Sequence, residues 1–147
     1  MKHIQTEIEI NASPEAVWEV LTDFGRYPDW NPFIRSFDGQ PADGSTFRVT
    51  IQPPGSKPMT FNPTCLVMEK NRELRWLGHL FVKGLFDGEH IFQLEETAGG
   101  KTRFIHREKF RGMLVPLLWK QLDSNTRNGF ETMNRKLKER VESKVPV

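Results

Sequence analysis

The sequence has 147 residues, enough for one domain with a hydrophobic core and too few for two ordinary domains. Hydrophobic residues make up 37% and charged residues 27%, a balance that predicts a folded chain. The formal net charge is +2, from 21 basic and 19 acidic residues spread along the sequence, which is not the basic footprint of a nucleic-acid-binding protein. We therefore expect a single domain over 1–147 without a nucleic-acid partner.

Membrane segments and thiol chemistry are also excluded by the sequence. No stretch approaches the roughly 20 consecutive apolar residues that a membrane-spanning helix needs. Residues 1–10 alternate and contain two glutamates, which is typical of a strand and not of a signal peptide. The single cysteine, Cys65, excludes an internal disulfide and a thiolate-rich metal site. We expect a cytoplasmic protein with no integral membrane association.

The first elements in chain order are a strand, a helix and an irregular aromatic segment. Alternation predicts a strand over 3–10. Ser13 is placed to cap a helix with Pro14 in its first turn, and apolar residues over 16–24 recur at helical spacing. The segment that follows sets three aromatic residues among proline and glycine: Tyr27, Trp30 and Phe33. Aromatic side chains on such a segment either close the end of a core or line an opening.

Alternation next predicts strands over 33–37, 46–51, 59–69, 74–81, 86–95 and 102–110. Within 59–69, Pro63 indicates an edge position or a bulge. Met59, Phe61, Cys65 and Val67 would share one face of that strand.

The last predicted element is a long amphipathic helix over 115–141, roughly 40 Å in length. Its apolar stripe includes Leu118, Leu122 and Phe130, and it thins to small residues at Thr126 and Gly129. The thin patch either packs closely against an aromatic side chain or leaves room for a ligand. A curved antiparallel sheet cannot cover its own concave face, so the helix is expected to lie across it. The predicted fold class is α+β, with one or two short helices after the first strand.

Two stretches resemble the START and birch-pollen-allergen superfamily, which has the helix-grip fold. "INASPEAVWEVLTDFGRYPDWNPF" is similar to the N-terminal signature of its polyketide cyclase/dehydrase and lipid-transport branch. "GEHIFQLEETAGGKTRFIHREKFRGMLVPLL" is similar to the last hairpin and the start of the terminal helix. The resemblance implies a deep apolar cavity between sheet and helix, with Trp30 and Phe33 partly exposed at its mouth and Phe24 buried beneath.

Polar residues interrupt the apolar faces of the last two strands. One face of 86–94 contains His90, and one face of 102–110 contains His106 and Glu108. If both apolar faces lie on the same side of the sheet, a turn centred on Gly99 pairs His90 with Glu108. This inward pair can satisfy itself, hydrogen-bond a ligand, or perform acid/base chemistry. We expect no metal site, because His90, His106 and Glu108 do not have a recognised ligand spacing.

The favoured function is binding of a small apolar or amphipathic molecule, without a cofactor, by a monomer or weak dimer. The alternative is a cyclase, dehydratase or aromatase with His90 and Glu108 as its acid/base pair. A third hypothesis is an interaction protein that uses an outer face. The predicted ligand-binding residues are Trp30, Phe33, Phe47, Phe61, Trp76, His90, Phe92, His106, Glu108, Phe110, Leu118, Leu122, Thr126 and Phe130.

Overall fold

The computed structural model describes residues 1–80 and 82–144. Its strands are β1 (Lys2–Ile10), β2 (Ile34–Asp38), β3 (Arg48–Ile51), β4 (Met59–Phe61), β5 (Thr64–Glu69), β6 (Glu73–Leu80), β7 (Phe86–Thr97) and β8 (Lys101–Arg111). Its helices are α1 (Pro14–Leu21), a short 3-10 turn (Phe24–Arg26), α2 (Tyr27–Trp30) and α3 (Val115–Lys144). The predicted α+β class is confirmed, with short helices after the first strand and one long helix at the end.

The strands form two antiparallel sheets. The larger is a curved five-stranded sheet in the order β1-β8-β7-β6-β5, and the smaller has the order β2-β3-β4. A bridge between Thr46 and Thr64 joins them. Each sheet therefore contributes one wall to the space beneath α3.

The last hairpin has the register that parity predicted. Residue 97 pairs with residue 101 across the turn that contains Gly99, and His90 lies directly opposite Glu108. Phe92 lies opposite His106 in the same ladder. The shared register places these polar side chains side by side on the apolar face of the sheet.

Helix α1 begins as its sequence signals predicted, and α3 is one continuous helix. The hydroxyl of Ser13 accepts a hydrogen bond from the backbone N–H of Ala16 at 3.2 Å, which satisfies one free donor of the first turn. Helix α3 continues through Gly129 without a break. Its residues Phe130, Met133, Leu137 and Val141 are buried, and Leu118 and Leu122 are partly buried against the core.

One predicted strand is wrong. The segment 59–69 is two strands in different sheets, β4 and β5, separated at Pro63. Proline has no N–H to continue the ladder, and the chain changes sheets there. Met59 is consequently 38% exposed while Cys65 is buried, so they do not share a face. The predicted strand over 74–81 is observed as β6, and Phe81 lies outside the described residues.

Candidate functional site

Two adjoining chambers lie against the sheets, and α3 lines the outer one. The inner chamber has a volume of about 40 Å³ and is lined by apolar residues, two glycines and one carboxyl group: Val49, Ile51, Phe61, Pro63, Trp76, Gly78, Phe86, Gly88 and Glu108. The outer chamber has a volume of about 300 Å³ and is lined by Pro53, Ser56, Lys57, Met59, Phe61, Phe86, Leu118, Gln121, Leu122, Asn125 and Thr126. Phe61 and Phe86 line both chambers and so stand between them.

Glu108 is the titratable residue among those that line the inner chamber. Its side chain is 15% exposed, and its Oε1 lies 3.5 Å from Nδ1 of His90. A Cβ atom at Gly88 would overlap the other oxygen, Oε2. Because Gly88 on β7 has no side chain, the carboxyl group of Glu108 can lie over it on the face of the sheet, where it also lines the inner chamber.

A line of buried polar groups runs from Glu108 to β1. Nε2 of His90 lies 2.7 Å from Nε2 of His106. Nδ1 of His106 lies 2.9 Å from Oδ1 of Asn134 on α3. The amide of Asn134 donates to Oγ1 of Thr6 at 2.9 Å, and that hydroxyl donates to the carbonyl oxygen of His106 at 3.2 Å. We call these five residues, Thr6, His90, His106, Glu108 and Asn134, the polar line.

The hydrogen bonds of the polar line all point in one direction. Because the hydroxyl of Thr6 donates to a carbonyl, it accepts from the amide of Asn134, and this turns Oδ1 of Asn134 toward His106. Nδ1 of a neutral His106 therefore has the proton, and its bare Nε2 accepts from Nε2–H of His90. Nδ1 of a neutral His90 is then an unprotonated acceptor, and it has no hydrogen-bond partner within the described residues. A protonated Glu108 would complete the line by donating to it.

Burial favours the neutral form of each titratable group in the polar line. It lowers the pKa of His90 to about 3 and raises the pKa of Glu108 to about 8. The pKa of His106 is also well below its usual value, first because the ring is buried and second because His90 is adjacent. A neutral His90 cannot form an ion pair with Glu108, and 3.5 Å is too long for a strong charge-assisted bond. At neutral pH the polar line is therefore uncharged, and His90 and Glu108 do not form a salt bridge.

Aromatic rings hold both imidazoles in place. The ring of His90 stacks on Trp76 with centroids 4.7 Å apart, and the ring of His106 stacks on Phe130 at 3.8 Å. Phe92 contacts both imidazoles edge to face, at 4.9 and 4.7 Å. These contacts exclude water from the histidines and leave Glu108 as the member of the polar line that lines a chamber.

Comparison with known proteins places this chain in a family. Residues 1–142 match the family described as "Polyketide cyclase / dehydrase and lipid transport". The chain belongs to this family. None of the curated proteins matches the sequence.

Solved structures from several bacteria share the fold. The Zhui aromatase/cyclase from Streptomyces sp. R1128 is 13% identical with a TM-score of 0.81, covering 99% of this chain and 96% of that one. A START superfamily protein from Mycobacterium smegmatis is 18% identical with a TM-score of 0.77, covering 97% and 99%. Protein MLL2253 from Mesorhizobium loti is 19% identical with a TM-score of 0.76, covering 99% and 100%. At these identities the likeness shows the fold alone.

Twelve of the fourteen predicted ligand-binding residues divide into two groups around the chambers. Six line a chamber: Phe61, Trp76, Glu108, Leu118, Leu122 and Thr126. Another six are buried behind the chamber walls: Phe47, His90, Phe92, His106, Phe110 and Phe130. Their roles toward a ligand stay predictions, but the inward face of the last hairpin is confirmed.

The prediction that Phe33 is partly exposed is wrong. Its side chain is only 3% exposed, and its ring packs edge to face on Phe130 at 5.4 Å. A Cβ atom at Gly129 would overlap this ring. An aromatic ring from the segment before β2 therefore packs directly on the glycine of α3, and both residues also line a surface groove of about 390 Å³ that is separate from the two chambers. Phe24 is buried, as predicted.

Trp30 is partly exposed, but it does not line either chamber. It borders a separate surface groove of about 400 Å³ between α1 and the C-terminal end of α3. The short helix α2 holds Trp30 edge to face against the buried Tyr27, with centroids 5.2 Å apart. In the aromatic segment after α1, Tyr27 therefore lies in the core, Phe33 packs over Gly129, and Trp30 borders an outer groove.

Three important residues were missed by sequence reasoning. Asn134 and Thr6 are the far end of the polar line, and Phe86 separates the chambers. Alternation placed Phe86 on the inward face of β7 with His90, but Phe86 was not among the predicted ligand-binding residues. Asn134 follows Met133 in a polar stretch of α3, so only the assembled structure distinguishes it from a solvent-exposed residue.

Proposed function

We propose that residues 1–147 form a binding domain for a small, uncharged molecule with an apolar body and one polar end. The single observation that supports this most strongly is an apolar space that ends at a neutral carboxyl group. Apolar walls supply the binding free energy in such sites, and a few polar groups fix the orientation. The family description, which includes both cyclases and lipid transport, is consistent with this proposal.

The two volumes limit the size of this molecule. About 300 Å³ in the outer chamber is at the lower end of the range for small-molecule pockets. About 40 Å³ in the inner chamber admits one water molecule or one small polar group. We infer that the apolar body occupies the outer chamber and that its polar end passes between Phe61 and Phe86 toward Glu108.

The polar end should be a carbonyl or hydroxyl group. When a ligand is bound, a protonated Glu108 can turn its one hydrogen from Nδ1 of His90 to such an oxygen, and its second oxygen can accept from a hydroxyl. A ligand with a carboxylate as its polar end would bind less well. Its charge would lie in low-dielectric surroundings, with no basic side chain among the lining residues of the inner chamber, which is unfavourable. The site should therefore prefer ketones, phenols and alcohols over fatty acids.

Binding of the neutral, fluorescent naphthyl ketone prodan tests this proposal. We expect saturable binding at pH 7, and an affinity at least about tenfold weaker after Glu108→Leu because the donor to the ketone is lost. Glu108→Gln keeps an amide donor, so its binding should not change between pH 7 and 9, whereas wild-type binding should fall as Glu108 ionises. Glu96→Gln, at an exposed position on β7, is the matched control. Equal binding by the wild type and Glu108→Leu would contradict the proposal, as would binding that survives Leu122→Trp in the outer chamber.

A second candidate function is acid/base catalysis, and the one-directional polar line favours it. Protonated Glu108 and the bare Nδ1 of His90 form an adjacent acid and base within 3.5 Å. Glu108 is the member of the pair that lines a chamber: by passing its proton to the bare Nδ1 of His90 it becomes the carboxylate that can take a proton from a carbon next to a ketone, which is a step of cyclisation and dehydration. The test is hydrogen–deuterium exchange at the carbon between the two carbonyls of a β-keto thioester, followed by NMR. An exchange rate above that of buffer, abolished by His90→Ala while prodan still binds, would favour an enzyme.

A further inference from the structure

Apart from Met1, the most exposed large apolar side chains among the described residues lie in two segments that contact each other. Val82 is 63% exposed, and Met113 and Leu117 are each 80% exposed. Val82 lies in the turn between β6 and β7, and the other two flank the start of α3. Exposed apolar patches on soluble proteins mark surfaces that contact another apolar phase or partner.

Backbone contacts join the two segments that contain these side chains. The N–H of Met113 donates to the carbonyl of Gly84 at 3.1 Å, and the N–H of Leu114 donates to the carbonyl of Leu85 at 3.0 Å. Gly112 has a φ of +133°, and a Cβ atom there would overlap the backbone of Leu85. Only glycine permits this close crossing. We call the two joined segments, 82–85 and 112–117, the apolar tip.

The charges around the apolar tip are mostly positive. The carboxylate of Asp87 also lies there, where it accepts from the N–H of Gly84 and is 2.7 Å from Nδ1 of His79. Segments 82–85 and 109–120 contain four basic residues and no acidic residue: Lys83, Lys109, Arg111 and Lys120. The formal charge of these segments exceeds that of the whole chain, which is +2. A basic rim around an apolar centre complements a surface that is apolar inside and anionic outside.

We propose that the apolar tip is a docking surface for bilayers that contain anionic phospholipid. Val82, Met113 and Leu117 would enter the boundary of the acyl chains, and the basic rim would lie at the level of the phosphates. On α3, Leu118 and Gln121 line the outer chamber, one residue beyond Leu117 and Lys120. Docking would therefore bring the outer chamber close to the bilayer, but it does not depend on what the chambers bind.

Sedimentation with vesicles tests the proposal on the whole chain without added ligand. We expect binding to mixed phosphatidylcholine and phosphatidylglycerol vesicles that weakens with salt, and much less binding to phosphatidylcholine alone. Met113→Asp combined with Leu117→Asp should reduce the partition coefficient at least about tenfold, and Lys83→Glu with Lys120→Glu should do the same. Circular dichroism should show that these exposed substitutions leave the fold intact.

Matched controls lie elsewhere on the five-stranded sheet. Leu66→Asp changes a 39% exposed apolar residue on β5, and Lys70→Glu changes an exposed lysine at the opposite end of β6; both should bind vesicles like the wild type. Equal binding by the Met113→Asp, Leu117→Asp double variant and the wild type would overturn the proposal. A wild-type dimer in light scattering that this variant dissociates, with no vesicle binding, would also overturn it and identify the tip as a self-association surface.

Discussion

The sheet contains two histidine–carboxylate pairs on neighbouring ladders, and their electrostatics are opposite. His79 lies directly across from Asp87 between β6 and β7, as His90 lies across from Glu108 between β7 and β8. In the first pair Nδ1 and the carboxylate oxygen are 2.7 Å apart, and the side chains are 34% and 17% exposed. In the second pair the distance is 3.5 Å, and the histidine side chain is 1% exposed.

Hydrogen bonding and solvent decide the charge state of each pair. Partial burial raises the pKa of Asp87, but hydrogen bonds from His79 and from the backbone N–H of Gly84 outweigh it, and the net pKa is lowered. Glu108 receives no such donor within the described residues, so burial alone raises its pKa to about 8. A histidine opposite a carboxyl group therefore makes a partly exposed polar contact at one site and a buried, neutral pair at the other. The predictions that follow test this difference, from the largest expected effect to the smallest.

Asn134→Leu should give the largest effect, a loss of about 2–3 kcal/mol in the free energy of unfolding. The substitution removes the acceptor of the buried Nδ1–H of His106 and the donor to Thr6, and an unpaired buried donor costs about 1–3 kcal/mol. Urea unfolding at pH 7 measures it, with Asn128→Leu at an exposed position on α3 as the control. Equal losses in the two variants would show that the polar line does not contribute to stability.

Glu108→Gln should change how stability depends on pH. The folded pKa of Glu108 is about 8 and its ordinary value is 4.5, so between these values the folded chain holds a proton that the unfolded chain releases. This contribution is fully present below pH 4.5 and is lost as the pH rises through 8. We expect the wild type to lose about 1–2 kcal/mol relative to Glu108→Gln between pH 6.5 and 8.

The histidines of the polar line act in the other direction. The pKa of His90 falls from 6.5 to about 3, so its neutral form stabilises the fold above pH 6.5, and this stability is lost as the pH falls toward 3. Thermal unfolding across this range should therefore give a wild-type maximum near pH 6.5. For Glu108→Gln the stability should reach a plateau above that pH. A falling alkaline limb that persists in the variant would assign the fall to another group.

Asp87→Asn should give the smallest effect, a loss below about 1 kcal/mol at pH 7, because a solvent-accessible pair contributes little. The lowered pKa of Asp87 gives stability that is present above pH 3.8 and is lost as the pH falls below it. The difference from the wild type should therefore disappear in acid. A loss as large as that of Asn134→Leu would remove the contrast between the two pairs.

The sequence was sufficient for the elements that periodicity controls. Alternation and one glycine turn gave the register that pairs His90 with Glu108, and helical spacing gave the buried face of α3 that includes Phe130 and Leu137. In these elements the positions of the side chains follow from the repeat of the backbone.

The remaining features depend on contacts between distant segments. Phe33 follows an irregular segment whose backbone path has no period, so its insertion over Gly129 could not be derived. Asn134 gains its role only because His106 and Thr6 come from strands more than 25 residues away in the sequence. The division of 59–69 at Pro63 reflects a change of sheet that local alternation does not record.

Within the described residues, no helix is both long and apolar enough to cross a membrane.

The most direct test of the neutral polar line is a pH titration of the Glu108 carboxyl carbon by NMR. Protein labelled with ¹³C-glutamate gives the signal, and its absence from Glu108→Gln assigns it. The account predicts a protonated carboxyl at pH 6 and a titration midpoint near the pKa of about 8. A midpoint near the ordinary value of 4.5 would mean that Glu108 is a carboxylate at neutral pH and would contradict the account.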